Sequence, residues 1–267
     1  MNIRQHLTSN IFFAKVSLLS KSKGKQLVFL LNLFTDKNLK FMFVDGRYLL
    51  IEKGISNYFI KERAHLYLKG AIHRSTSLAN SYGLYLIKFM HGDIIIDVGA
   101  NNGDLLPYFK NQTYTGFEPS PEEFELLDRN SEYYSMANVY NYAIGNSESE
   151  VFFYISSAGA DSSIFEPVTF TTRIKVKQIR LDEFFNGTKI KLLKIDAEGA
   201  ELEVLQGCQN ILNCIEFISV DAGFEKGINS NLTAPEVFDF LYLNGFHLIN
   251  EASYTRYLFK NSAINKY

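Results

Sequence analysis

Three β-branched residues run into an acid and then into a turn broken by two glycines: Ile94-Ile95-Ile96-Asp97-Val98-Gly99-Ala100-Asn101-Asn102-Gly103. Leu105-Leu106-Pro107-Tyr108-Phe109 follows, so the stretch reads as buried strand, tight turn and helix start. Gly99 and Gly103 carry no Cβ, which lets the backbone turn sharply and come close to a ligand. The pattern repeats to the end of the chain. Strands are predicted at 94–98, 114–118, 138–142, 150–155, 173–179, 191–196, 215–221 and 246–249. Helices are predicted at 104–110, 121–130, 199–212 and 234–244. This alternation implies βαβ units and an α/β fold, with a mostly parallel twisted sheet and helices on both faces. Ligands of such sheets bind beyond the carboxyl ends of the strands. Asp97, Glu118, Asp196 and Asp221 fall at such ends.

Glu118 closes the segment Tyr114-Thr115-Gly116-Phe117, and one nucleotide-like ligand lying across two strand ends explains both it and Asp97. The spacing Gly-x-x-x-Gly lacks the Gly-x-Gly-x-x-Gly that brings backbone against a pyrophosphate, which argues against a dinucleotide. An acid ahead of the turn repels phosphates but suits a cation or an amino group. S-adenosylmethionine carries both a sulfonium and an α-amino group. Glu118 can accept both hydroxyls of a ribose. The following Pro119-Ser120-Pro121-Glu122-Glu123 reads as helix capping, with Ser120 as N-cap, Pro121 at the first helical position and Glu123 at the capping-box position.

A second stretch runs from Lys191 to Gly207 and contains Lys194-Ile195-Asp196-Ala197-Glu198-Gly199-Ala200-Glu201-Leu202-Glu203. A helix dipole favours acids in its first turn, which accounts for Glu201 and Glu203. Asp196 and Glu198 precede the helix and repel each other unless they have a function or a counter-charge. Lys194 can neutralise one of them.

Composition excludes some classes. Lys plus Arg is 27 against 29 for Asp plus Glu, which argues against a dedicated nucleic-acid binder. Cys208 and Cys214 sit in apolar surroundings without metal-type spacing and read as reduced core residues of a cytoplasmic protein. Ile11 to Leu19 is interrupted by Lys15, Leu27 to Phe34 is shorter still, and both fall far below the ~20 apolar residues of a membrane span. They read as amphipathic helices over residues 1–36, with peripheral contact to a membrane or a membrane-bound partner as the alternative. Asp45-Gly46 between two apolar runs signals a hairpin of 40–44 with 47–51. Helices are predicted at 57–72 and 77–90. Residues 1–90 are taken as a helical and β-hairpin cap, and residues 91–267 as the main domain. The cap is expected to help bind an acceptor or to mediate self-association into a homo-oligomer.

The motifs Asp97 to Gly103, Glu118-Pro119 and Leu193 to Glu201 together resemble the FkbM-type S-adenosylmethionine-dependent methyltransferases, over roughly residues 74–250. The first motif is common to many methyltransferases. Lys-x-Asp-x-Glu-Gly-x-Glu, placed after it at this distance, is much more specific. The resemblance implies a Rossmann-like seven-stranded fold and O-methylation of a sugar, glycan or natural-product hydroxyl, leaving S-adenosylhomocysteine. It implies a cofactor held by Asp97, Gly99, Ala100, Asn101, Gly103, Glu118, Pro119 and Asp196. Tyr142 and Ala143 lie where such folds hold the adenine. Arg74, Tyr82, Ser162 and Glu198 are candidates for the acceptor. Arg74 meets a carboxylate of cofactor or substrate, or else forms a surface salt bridge. Ser156 to Ser163 is a mobile loop over the site or a plain exposed loop.

Methyl transfer is an in-line displacement, and a sugar hydroxyl is a poor nucleophile that needs a base or a metal. Asp196, Glu198 and Asp221 are the candidate catalytic acids. A carboxylate base without metal is the first reading, and Mg²⁺ held by Asp196 and Asp221 is the second. Two other classes stand against this reading: a nucleotide-binding oxidoreductase, and a catalytically silent binding or scaffolding protein on a methyltransferase fold.

Overall fold

The computed structural model describes residues 18–19, 21–156 and 162–264. The helix expected upstream of residue 18 and the middle of the 156–163 loop lie outside the described residues. By compactness the chain divides into two units, Met1–Arg74 and Ser75–Tyr267.

In the first unit a helix, Gly24–Phe34, precedes a sheet of β1 (Leu39–Val44), β2 (Arg47–Glu52) and β3 (Ile55–Phe59), antiparallel in that order. Both connections are two-residue turns with both residues left-handed: Asp45 (φ 49) with Gly46 (φ 79), then Lys53 (φ 52) with Gly54 (φ 82). Such turns match the twist of paired strands. Leu27, Leu31, Phe41, Leu50, Phe59 and Tyr67 form the core. The helix predicted over 57–72 is not formed. Pairing with β2 takes residues 55–59 into the sheet, and only a 3-10 stretch, Lys61–Tyr67, follows.

The second unit is built on β4 (Ile94–Val98), β5 (Thr113–Phe117), β6 (Ala137–Tyr140), β7 (Ala143–Ile144), β8 (Ser149–Ile155), β9 (Thr172–Ile179), β10 (Ile190–Ile195), β11 (Ile215–Asp221), β12 (Phe224–Lys226), β13 (Asn231–Leu232), β14 (Phe246–Ser253) and β15 (Arg256–Asn261). Seven of these form one sheet, in the order β14-β15-β11-β10-β4-β5-β6. The neighbours from β11 to β6 pair in parallel, and β15 runs antiparallel to both β11 and β14. This is the mostly parallel sheet that the alternation implies, in the Rossmann-like seven-stranded form that the resemblance implies. Ile96, Leu193, Ile195, Ile218 and Val220 bury one face of it against the helices Glu201–Gln206 and Ala234–Leu243, through Val204, Leu205, Val237 and Leu241. A smaller sheet, β7-β9-β8, and the pair β12-β13 complete the unit.

Three predicted helices differ. Residues 104–110 wind through successive turns instead, with Leu106 N–H bonded to the Gly103 carbonyl (3.0 Å) and Tyr108 N–H to that of Leu105 (3.0 Å). Pro107 has no N–H to give to a helical ladder. The helix predicted over 199–212 is Glu201–Gln206, stopped at Gly207. The one predicted over 77–90 is Ala71–Ser81, which ends before left-handed Gly83 and leaves a single 3-10 turn, Leu84–Leu86. That helix straddles the division between units. Its second half lies in the larger unit, where the Ser75 hydroxyl accepts the Tyr108 N–H at 3.1 Å. No helix among the described residues is long and apolar enough to cross a membrane.

Candidate active site

The two motif stretches meet because β10 lies beside β4. Asp196 N–H donates to the Val98 carbonyl at 3.1 Å, and a Cβ placed on Gly99 (φ +71) would stand 1.9 Å from the Asp196 carbonyl oxygen. Only a glycine leaves room for that approach. Register puts Lys194 directly across from Asp97. The Lys194 ammonium, buried, lies 2.9 Å from Asp97 Oδ1 and 3.7 Å from Asp196 Oδ2, and donates to the Gly99 carbonyl at 2.9 Å. The Tyr114 hydroxyl donates to Asp97 Oδ2 at 2.7 Å. Burial alone would lower the Lys194 ammonium, but Asp97 and Asp196 carry it above the ordinary lysine value. Burial also pushes the Asp97 carboxyl up, against the pull of Lys194 and Tyr114. The counter-charge of Asp97 is thus internal. At 1 % exposure Asp97 ties the turn to β10 through Lys194.

Glu118, one residue beyond β5, accepts two backbone N–H groups: Asn101 on Oε2 (2.9 Å) and Ser120 on Oε1 (2.9 Å). Asn101 is left-handed (φ 50), which aims its N–H inward. The Ala100 N–H reaches back to the Phe117 carbonyl at 3.0 Å, and Gly103 (φ +83) lies so close to Leu106 and Leu127 that a Cβ would strike both. Burial pushes the Glu118 carboxyl up to about 7, against the two N–H groups. Asn141 ties in the next strand end by donating to the carbonyls of Glu118 (2.8 Å) and Pro119 (3.0 Å). Tyr142 follows, stacked on Tyr140 at 6.3 Å, and Ala143 is buried in β7. The structure therefore gathers Asp97, Gly99, Ala100, Asn101, Gly103, Glu118 and Pro119 at one edge, with Tyr142 and Ala143 next to them. Ser120 departs from the capping box, since its hydroxyl bonds the Glu123 carboxylate rather than a backbone N–H.

The catalytic candidates separate by surroundings. The Asp196 side chain is 24 % exposed and accepts the Tyr82 hydroxyl on Oδ2 at 2.5 Å. Asp221 is only 9 % exposed and takes Arg256 Nε on Oδ2 at 2.7 Å and the Thr255 hydroxyl on Oδ1. Glu198 is left-handed (φ 49), and its carbonyl accepts the Ser163 hydroxyl at 2.6 Å. Glu201 is fully buried and takes the N–H groups of Gly199 (2.9 Å) and Ala197 (3.3 Å), so it shapes the loop carrying Asp196 and Glu198. Its carboxyl is raised to about 7, mainly by burial. Glu203 pairs with Lys226 of β12 at 3.0 Å.

Of the acceptor candidates, Tyr82 and Glu198 lie on or against the Asp196 loop, and Ser162 adjoins it through Ser163. Tyr82 is fully buried, so its hydroxyl serves Asp196 and is closed to a substrate. The Ser162 hydroxyl accepts the Ser156 N–H at 3.0 Å and closes the base of the loop, while Ser163 reaches the motif. Arg74 is half-buried and ends the first unit. Sequence reasoning missed Arg256 and Thr255. The signal available was a cation opening the apolar run Tyr257-Leu258-Phe259. Among the described residues no group of three or more His, Cys, Asp or Glu is placed to hold a metal ion.

The methyltransferase FkbM domain matches residues 97–248 of the 267. Hexuronic acid methyltransferase AglP of Haloferax volcanii is 28 % identical over 134 residues, covering 48 % of this chain and 55 % of that protein. Methyltransferase 1 of Beauveria bassiana is 27 % identical over 165 residues, covering 51 % of this chain and 66 % of that protein. The chain thus spans less than two thirds of the length of either relative. Among solved structures, magnesium protoporphyrin IX methyltransferase (ChlM) from Synechocystis PCC 6803, with bound SAM, overlaps with a TM-score of 0.44 at 10 % identity, over 76 % of this chain and 84 % of that one. The matched region opens on Asp97, takes in the glycine turn, Glu118 and the whole Lys194–Glu201 loop, and ends in β14: the chain belongs to the FkbM methyltransferase family.

Proposed function

We propose that this protein is an S-adenosylmethionine-dependent O-methyltransferase acting on a hydroxyl of a sugar or glycan, with Asp196 as the general base. The observation that carries the reading is the contrast among the acids. Asp97 and Asp221 are each closed by a cation within 2.9 Å, whereas Asp196, 3.7 Å from Lys194, keeps 24 % of its side chain exposed at the strand ends, against the glycine turn. The cofactor fits the residues present. Each Glu118 oxygen takes one backbone N–H, and a carboxylate oxygen has a further lone-pair site for a ribose hydroxyl. The turn from Gly99 to Gly103 brings the Asn101 N–H to Glu118, and the segment at Tyr142 and Ala143 follows at the same edge. When bound, the cofactor supplies a methyl group made electrophilic by a sulfonium. Asp196 would take the proton of the acceptor hydroxyl, whose oxygen would gain the methyl group as the sulfur–methyl bond breaks to leave S-adenosylhomocysteine, and would pass it to solvent from its exposed side. Lys194 keeps the Asp196 loop and the Gly99 turn together without taking part in proton transfer. A sugar acceptor is supported by the hexuronic acid methyltransferase among the relatives.

The test uses labelled S-adenosylmethionine and a panel of uronic acid and neutral sugar glycosides, read by mass spectrometry. Label should enter an acceptor hydroxyl. Asp196→Asn keeps the size of the side chain but removes its basicity, and should slow transfer by ~10²-fold or more with little change in S-adenosylhomocysteine affinity. Full turnover in that variant removes Asp196 as the base. Absence of S-adenosylhomocysteine binding in calorimetry overturns the cofactor reading and leaves a silent methyltransferase-fold protein.

A further inference from the structure

We propose that Tyr82 is the positioning residue of Asp196, and that Asp221 acts through Arg256 to hold Tyr82 in place rather than taking a proton itself. This rests on Asp196 being the base. Tyr82 is closed to solvent on all sides, yet its hydroxyl lies 2.5 Å from Asp196 Oδ2. An O–H donor to a carboxylate at this distance is among the stronger hydrogen bonds in proteins and favours the ionised acid. The ring is fixed by cations: the Arg256 guanidinium carbon stands 4.3 Å from its centroid and the Lys194 ammonium 5.3 Å. The backbone is fixed too. The Tyr82 carbonyl accepts the Ser219 hydroxyl of β11 at 2.8 Å, and Arg256 Nη1 reaches the neighbouring Ser81 Oγ at 2.6 Å.

Asp221 and Arg256 face each other across β11 and β15, so the ion pair is set by sheet register. That pairing gives Asp221 a role that explains its burial. It anchors the guanidinium that packs on Tyr82. Among the described residues, Asp196 is faced by Lys194 of β10, Asp97 of β4, Arg256 of β15 and, on its own loop, Glu198 and Glu201, and Asp221 of β11 acts on Tyr82. Tyr82 is the uncharged member of the set. Burial, then Asp196, pushes its hydroxyl well above the ordinary tyrosine value, so it keeps its proton while Asp196 cycles.

The test follows the titration of Asp196 directly, by ¹³C NMR of the full chain labelled at aspartate carboxyls. Its signal is assigned by its disappearance in Asp196→Asn. In Tyr82→Phe the titration midpoint of Asp196 should move up by about one pH unit or more, the size of a hydrogen bond to a charged group. With p-nitrophenyl glucuronide as acceptor, the acid limb of the kcat profile should move with it. Activity should fall ~10-fold on that limb and much less above it, with S-adenosylhomocysteine affinity kept within ~2-fold. An unmoved titration, with activity lowered equally at every pH, makes Tyr82 merely structural and overturns the proposal. Should Tyr82→Phe fail to fold, Arg256→Lys keeps a cation for Asp221 but loses the planar contact on the ring. The same upward shift is then expected, and its absence is equally fatal. Full turnover in Asp196→Asn marks failure of the catalytic reading instead.

Discussion

Glu118 is asked for two things that pull in opposite directions. Folding puts its carboxyl where burial raises it from 4.5 to about 7. Between those values the folded protein keeps a proton that the unfolded chain has released. The folded state then binds more protons, so stability falls as pH rises through this window. The contribution is fully present below about 4.5 and gone above about 7. Glu201, raised to the same value by the same cause, adds to the trend. With Glu118 in its proposed place against the ribose, ligand binding should run the other way, because the ionised carboxylate is the better acceptor for ribose hydroxyls. Calorimetry should show S-adenosylhomocysteine binding tightening from pH 6 to pH 8, while chemical denaturation of the free protein shows stability dropping from about pH 4.5 to about pH 7. Glu118→Gln should weaken binding by ~10-fold or more and flatten its pH dependence, since an amide NH₂ must face one of two backbone N–H donors. Wild-type affinity and pH dependence in that variant would remove Glu118 from the ligand site.

At the level of elements, the turns decide more than the helices. Gly99 is the clearest case, because left-handed φ and contact with the Asp196 carbonyl both exclude a side chain. Gly99→Ala must separate the two motif loops or distort both. Urea denaturation should show a loss on the order of 3 kcal/mol, accompanied by loss of S-adenosylhomocysteine binding. A variant of unchanged stability would mean that the two loops give way easily. The need for a glycine there was legible in the sequence. Its partner, the Asp196 carbonyl, was not, because nothing in a single chain says which strands lie side by side. The turns show the same limit. Asp45-Gly46 announces a hairpin because Asp tolerates the left-handed region, whereas Lys53-Gly54 adopts the same geometry with a residue that carries no such preference. The stretch 104–110 has helical spacing of apolar residues, and Pro107 overrides it. The helix read from 77 starts at Ala71, and Gly83 stops it earlier than periodicity suggests.

At the scale of the molecule, cross-strand register does what the linear motifs cannot. Lys194 is the direct partner of Asp97, and Arg256 that of Asp221. Both ion pairs arise where a cation on one strand lies opposite an acid on the next, and both disappear if a strand shifts by one residue. The sequence placed acids at strand ends because apolar runs stop there. It could not pair them with cations, and it did not reveal β15, the antiparallel strand that brings Arg256 in. Glu118 and Asp196, proposed to bind cofactor and to move a proton, lie beyond Arg74, and so do Asp97, Lys194, Tyr82, Asp221 and Arg256, which hold them in place. The seven-stranded sheet and its buried core are complete within the same unit. A fragment of residues 70–267 keeps the helix Ala71–Ser81 whole, and with it the Ser75 bond to Tyr108 and the Ser81 bond to Arg256. It should unfold cooperatively and bind S-adenosylhomocysteine within ~3-fold of the full chain, since every residue proposed to hold the ligand is kept. Acceptor turnover and oligomeric state are then the functions left for residues 1–69, and one of them should be lost. A fragment that retains both assigns the first unit no part in the reaction or in assembly. One that cannot bind S-adenosylhomocysteine, though folded, places part of the cofactor site in the first unit, against the residue assignment made here.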